Sequence, residues 1–158
     1  MTLPILVAGL GNIWMRDDGI GVRVVRELAG CYKTEGQVEF LEAGMSGMRV
    51  LHALAGRRAA VLVDCACLDQ PAGAWRWFEP DEVVSRQSLR GLVHEGDVLA
   101  VLELSRSLGE CPDQIQILGI QPAVVEPGEG ISPGLEARLP EYVECLAAQL
   151  RAWLGHAR

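Results

Sequence analysis

The stretch Ile5-Leu6-Val7-Ala8-Gly9-Leu10-Gly11-Asn12-Ile13-Trp14-Met15-Arg16-Asp17-Asp18-Gly19-Ile20-Gly21-Val22 contains the change of period that decides the fold. Ile5 to Ala8 is an unbroken apolar run, the pattern of a strand buried on both faces. Gly9-Leu10-Gly11-Asn12 is a turn. From Asp17 onward, Ile20, Val24, Val25 and Leu28 fall on one helical face, Arg23, Arg26 and Glu27 fall elsewhere, and Gly30 supplies a stop. Strand, glycine loop and helix in that order open a parallel α/β sheet rather than a bundle or a sandwich.

The alternation continues outward. Val38 to Leu41 reads as a second strand, followed by the turn Ala43-Gly44-Met45-Ser46-Gly47 and a short helix through Met48, Leu51 and Leu54 to Gly56. Ala59 to Val63 is a third, fully buried strand. Trp75-Arg76-Trp77-Phe78 alternates apolar with polar, so it belongs near an edge. Val98 to Leu108 is a helix ending at Gly109, and Ile115 to Ile120 is the last strand. After the loop 121–130, Ser132 and Pro133 open a final helix carrying Leu135, Leu139, Val143, Leu146, Leu150 and Trp153 at spacings of three or four. With 158 residues, no linker and no repeat, residues 1–158 form a single three-layer domain: a twisted, mostly parallel sheet of about five strands between helices.

Composition removes several classes of function. Hydrophobic residues make up 49% and charged residues 22%, the balance of a compact globular chain. A net charge of -7 without a basic block argues against nucleic acid. Nothing approaches the run of about 18 apolar residues that spans a bilayer, and no secretory signal pattern precedes the first strand. Cys31, Cys65, Cys67, Cys111 and Cys145 are an odd set with no regular spacing, as expected where thiols stay reduced, so the expected compartment is the cytoplasm.

Ligands of open α/β sheets bind where the strands exit, so the informative loops follow Ala8, Leu41, Val63 and Ile120. The first is not a dinucleotide loop, because Trp14 stands where G-x-G-x-x-G needs its third glycine and Asp17-Asp18 would repel a pyrophosphate. The P-loop, the H-E-x-x-H zinc motif and the G-x-S-x-G elbow are absent. What remains is Asp18 at the first helix, Asp64 at the exit of the third strand and His94 before the fourth amphipathic stretch. Two carboxylates and an imidazole suit a borderline divalent metal such as nickel or zinc. Each also has a plainer reading: a cap for Asp18, a turn organiser for Asp64, a solvated loop histidine for His94. Cys65 and Cys67 are weaker candidates for soft-metal contact, since buried free cysteine usually serves as a small hydrophobe. His52 and His156 read as structural or solvated. Trp14 and Met15 read either as a partner-contact surface or as a folded-back staple.

The stretch from Ile5 to Val22 resembles the N-terminal signature of the hydrogenase maturation endopeptidases. The resemblance continues through Glu42-Ala43-Gly44-Met45-Ser46-Gly47, Val61-Leu62-Val63-Asp64, His94, Gly119-Ile120-Gln121-Pro122 and the closing helix. It implies a twisted five-stranded sheet between helices and an endopeptidase that cuts the C-terminal extension from a nickel-iron hydrogenase large-subunit precursor once nickel is in place. Asp18, Asp64 and His94 match the family's metal-contacting positions, so the resemblance implies that they are both the catalytic and the metal-binding residues, with nickel supplied at least partly by the substrate. A non-catalytic, nickel-dependent chaperone for the same precursor would need the same three ligands, and an enclosed apolar pocket would favour a small-molecule hydrolase instead. Where many members have an Asp-Gly-Gly-Thr-like turn, this chain has Glu42-Ala43-Gly44-Met45, with Glu42 a candidate accessory group. The segment bearing Cys65 and Cys67 also departs from the family pattern.

Overall fold

A computed structural model of the chain describes residues 4–34, 36–85 and 95–155. The elements are β1 (Ile5–Leu10), α1 (Ile20–Cys31), β2 (Val38–Gly44), α2 (Gly47–Leu54), β3 (Ala59–Cys65), β4 (Trp75–Phe78), α3 (Pro80–Ser85), α4 (Glu95–Ser107), β5 (Gln114–Ile120) and α5 (Pro133–Gly155). The five strands form one sheet in the order β2-β1-β3-β5-β4. Every pairing is parallel except the antiparallel edge strand β4, whose Trp75 lies opposite Ile120 and Phe78 opposite Ile117.

Alternation along the strands divides the core in two. Ile5, Val7, Val61 and Val63 pack with Val24 and Leu28 of α1 and with Leu135, Leu139, Tyr142 and Leu146 of α5. Leu6, Ala8, Ala60 and Leu62 face the other way, against Val50 and Leu54 of α2 and Val98 and Leu102 of α4. The single three-layer α/β domain is therefore as expected, with helices on both faces. All five cysteines are free thiols. No helix among the described residues is long and apolar enough to cross a membrane.

Four local differences have physical reasons. The first helix opens as a short 3-10 turn, Arg16–Gly19, and α1 runs past Gly30 to Cys31, so Gly30 is not its stop. β3 extends beyond Val63 because Asp64 and Cys65 still pair with Gly119 and Ile120, which puts Asp64 inside the strand. α3 went unanticipated. On α5 the fully buried residue beside Leu146 is Tyr142, while Val143 and Trp153 are only partly buried at the rim; the helix also continues through Pro140.

The chain leaves β1 toward β2 and leaves β3 toward β5, so the sheet's switch point falls between β1 and β3, where α/β sheets open a crevice at their carboxyl ends. Glycines bring the backbone into it. A β-carbon on Gly21 would stand 2.1 Å from the Val63 carbonyl oxygen, and one on Gly9 would stand 2.5 Å from the Gly21 carbonyl oxygen. Only hydrogen at both positions lets the start of α1 lie against β1 and β3.

Candidate active site

Asp18 is the third residue of the 3-10 turn that this close approach presses against β3. Gly11, at φ +120°, has room for no side chain, because a β-carbon there would stand 2.0 Å from the Asp18 carbonyl oxygen. The returning loop aims the Asn12 N–H at Asp18, donating to its Oδ2 at 2.8 Å. Asp18 therefore caps no helix: α1 begins after Gly19, and neither N-cap receives a side-chain bond. The residue is 3% exposed.

Asp64 is fully buried near the end of β3, and its Oδ1 accepts the Cys65 N–H at 2.8 Å. Register places it opposite Gly119 of β5 and one residue beyond the Gly9–Val63 pair. The two carboxylates share a neighbour. Burial first, then the negative charge of Asp64 and Asp18, pushes the Cys65 thiol far above its usual range, so Cys65 is an inert hydrophobe there. Cys67 is exposed.

His94 lies outside the described residues. α4 begins at Glu95, and four residues after His94 in sequence, Val98 lines a small apolar cavity with Leu10, Gly44 and Met45, at the carboxyl ends of β1 and β2. The described donor set thus amounts to two oxygen ligands of a kind that suits a divalent cation. Among the described residues no group of three or more His, Cys, Asp or Glu side chains could hold a metal ion. His52, on α2, is exposed.

Glu42 is committed elsewhere. Both its oxygens accept from Arg26, each at 2.9 Å, and that bidentate bond, opposed by partial burial, holds Glu42 below the usual carboxylate range. It stands on the wall of a cleft of about 260 Å³ with Gly11, Asn12, Trp14 and Met45. A neighbouring cleft of about 340 Å³ lies beside Trp14, Arg16, Arg23 and Ile131. Trp14 is 61% exposed, which settles its two readings against the folded-back staple. A larger groove of about 830 Å³ opens at the opposite edge, by Arg58, Gln114, Gln116 and Trp153, and neither Asp18 nor Asp64 lines it.

Three residues outside the sequence-derived candidate set also shape this edge. Asn12 orients Asp18 through its backbone, Asp17 ties down the loop between β5 and α5, and Gln121 accepts the Leu68 N–H through Oε1. Gln121 carried a signal, as the first residue after the last strand. The Ser132 hydroxyl, expected to cap the final helix, donates instead to Asp17 Oδ2 at 2.6 Å.

Comparison with known proteins bears on this arrangement. The model of the hydrogenase maturation protease family matches residues 22–149. Hydrogenase 2 maturation protease of Escherichia coli (strain K12) is 32% identical over 150 residues, spanning 94% of this chain and 92% of that protein. The hydrogenase maturating endopeptidase HybD from E. coli superposes with a TM-score of 0.80 at 31% identity, covering 95% of this chain and 93% of that one. A nickel-iron hydrogenase maturation protease from Thermococcus kodakarensis, at 22% identity, shares the fold with a TM-score of 0.77. On the extent of the family match and of the similarity to the E. coli protease, this chain belongs to the hydrogenase maturation protease family.

Proposed function

We propose that this chain is the endopeptidase that removes the C-terminal extension of a nickel-iron hydrogenase large-subunit precursor after nickel has been inserted, with Asp18, Asp64 and His94 as its working residues. The observation that carries the reading is that the turn bearing Asp18 packs against β3, whose Asp64 stands beside the switch point, in a chain of the maturation protease family. Support for His94 comes from α4, which packs on the face of the sheet shared by Ala60 and Leu62, with Val98 at the carboxyl edge. Nickel enters with the substrate; a cation held between such ligands polarises a carbonyl or a bound water.

The chain's own contribution is placement. Asn12 and Cys65 each fix one carboxylate oxygen through a backbone N–H, so the other atoms of Asp18 and Asp64 are held in direction as well as position. A carboxylate fixed in this way can also take the proton of an attacking water as general base. With nickel part of the recognised surface, a nickel-free precursor lacks the group that seats the scissile bond.

The test is purified precursor, with and without nickel, incubated with this protein and followed by mass loss at its C-terminus. Nickel-loaded precursor is cut and nickel-free precursor persists. Asp18→Ala and His94→Ala each abolish processing with an unchanged circular dichroism spectrum. Equal cutting of both forms would overturn nickel gating. Binding of the nickel-loaded precursor without any cutting would replace the protease by a chaperone.

A further inference from the structure

Asp17 is fully buried beside the candidate carboxylate, yet both oxygens of its own carboxylate are engaged by a different part of the chain. Its Oδ2 accepts the N–H groups of Ala123 and Val124, each at 2.9 Å, and the Ser132 hydroxyl at 2.6 Å; its Oδ1 accepts the Ser132 N–H at 2.6 Å. Backbone bonds run alongside. Asp17 N–H donates to the Val124 carbonyl, Arg16 N–H to that of Gly128, and Gly128 N–H to that of Trp14. The loop 121–132 is therefore stitched at both ends and in the middle to the segment that ends in Asp18.

The same loop holds the segment after Asp64. Gln121 accepts the Leu68 N–H through its side chain and the Gly73 N–H through its carbonyl, and donates its own N–H to the Ala74 carbonyl. A path of hydrogen bonds joined by the backbone from Gln121 to Ala123 thus runs from Asp17 to the chain four residues beyond Asp64.

We propose that Asp17 is a positioning residue: by clamping loop 121–132 it fixes the segment carrying Asp18 relative to the segment carrying Asp64. The inference rests on the reading of those two carboxylates as the working pair. Asp17 itself touches no substrate, being buried with both oxygens engaged. Residues 123–130 of the loop are exposed, so water competes for their backbone groups and the buried carboxylate supplies an anchor that water cannot replace. An amide in place of the carboxylate would turn one acceptor into a donor facing N–H donors.

The test compares wild type, Asp17→Asn and Ser132→Ala by amide hydrogen exchange and by turnover of nickel-loaded precursor, at a temperature where circular dichroism shows each variant fully folded. Exchange at Ala123, Val124 and Ser132 reads the clamp, at Leu68 the segment of Asp64, and at Asn12 the seat of Asp18. Asp17→Asn should exchange faster at all five amides and lose about a hundredfold in kcat, the scale of an ångström of misplacement, with a much smaller change in KM. Ser132→Ala should move every readout the same way by less. A role confined to stability would lower the melting temperature and leave kcat of the folded protein alone. Unchanged protection at Leu68 and Asn12, or unchanged kcat, in Asp17→Asn overturns the proposal; should that variant not fold, Ser132→Ala decides by the same readouts. If wild-type protein does not cut the precursor, the endopeptidase reading fails, and exchange at Leu68 and Asn12 alone decides the clamp.

Discussion

Two glycines of α1, nine residues apart in sequence, face opposite demands. At Gly21 an added methyl would meet the carbonyl oxygens of Val63 at 2.1 Å and Leu10 at 2.6 Å, both backbone atoms of paired strands that cannot give way without opening the sheet. At Gly30 nothing lies within 4 Å. Gly21→Ala is therefore expected to destabilise by about 2–3 kcal/mol or more, as overpacking against rigid backbone does. Gly30→Ala should stabilise by roughly 0.4–1 kcal/mol, because alanine restricts the unfolded chain and fits the helix. Urea midpoints measure both, and a neutral Gly21→Ala would refute the close approach that seats Asp18. Arg16 makes the complementary case: a non-glycine residue at φ +52°, held there by its Nε bond to the Gly130 carbonyl at 2.9 Å. None of this is legible in one dimension. The run Gly9-Leu10-Gly11 announces a turn, but that Gly9 and Gly11 must also admit the Gly21 and Asp18 carbonyls depends on how the chain packs back at the start of α1, which the local pattern does not contain.

Among the elements, α5 is a brace as well as a cover. Its Tyr142 is fully buried and donates its hydroxyl to the Gly73 carbonyl at 2.7 Å, securing the chain between β3 and β4. Tyr142→Phe should cost about 1–3 kcal/mol, since it leaves a buried carbonyl without its donor. Burial pushes the Tyr142 phenol up to about 12, from an ordinary value of 10.0, with Glu141 and Asp17 adding to the shift against Arg138. The sign follows: a pKa raised in the folded state gives stability that is complete below pH 10 and is lost as pH rises toward 12. The gap between wild type and Tyr142→Phe, measured by urea unfolding, should be full at pH 8 and narrow between pH 10 and 12. A gap that stays constant across that range would mean the phenol is not held neutral. Elements with strong periods were readable from sequence: β4 at its observed limits, the short helix α2 through Met48, Leu51 and Leu54, and the apolar stripe of α5, while the bond by which Ser46 caps α2 appears only in the structure. α3 was not, because six residues with only Val83 and Val84 apolar carry no helical period. The role of Asp17, unlike that of Asp18, has no signal in the sequence for a related reason. The bonds that separate their roles reach across more than a hundred residues, to a loop whose glycines and prolines predict only that it is irregular.

Taken whole, the molecule is asymmetric from edge to edge. The exposed large hydrophobic residues Ile13, Trp14, Met45, Val124 and Val125 sit on loops that leave the carboxyl ends of the strands, and Met48 lies in the first turn of α2 beside them. Leu104 lies near the far end of α4 and Leu108 in the turn just after it, toward the opposite edge. Apolar side chains at the rim of the crevice that carries Asp18 mark the face a precursor would meet, because burying them on contact returns free energy that their exposure in the unbound protein forgoes. Trp14, at 61% exposure, contributes little to the fold and presents the largest such side chain at that rim. Trp14→Ser should therefore shift unfolding free energy by no more than about 0.5 kcal/mol. On the proposed function, it should weaken precursor binding by about 2 kcal/mol, the scale of an aromatic anchor, seen as a higher KM with little change in kcat. Leu104→Ser makes a comparable polar replacement at a residue 45% exposed on α4, away from the crevice, and should alter neither. Equal loss of precursor binding in the two variants would show that the contact surface is not organised around the carboxyl edge.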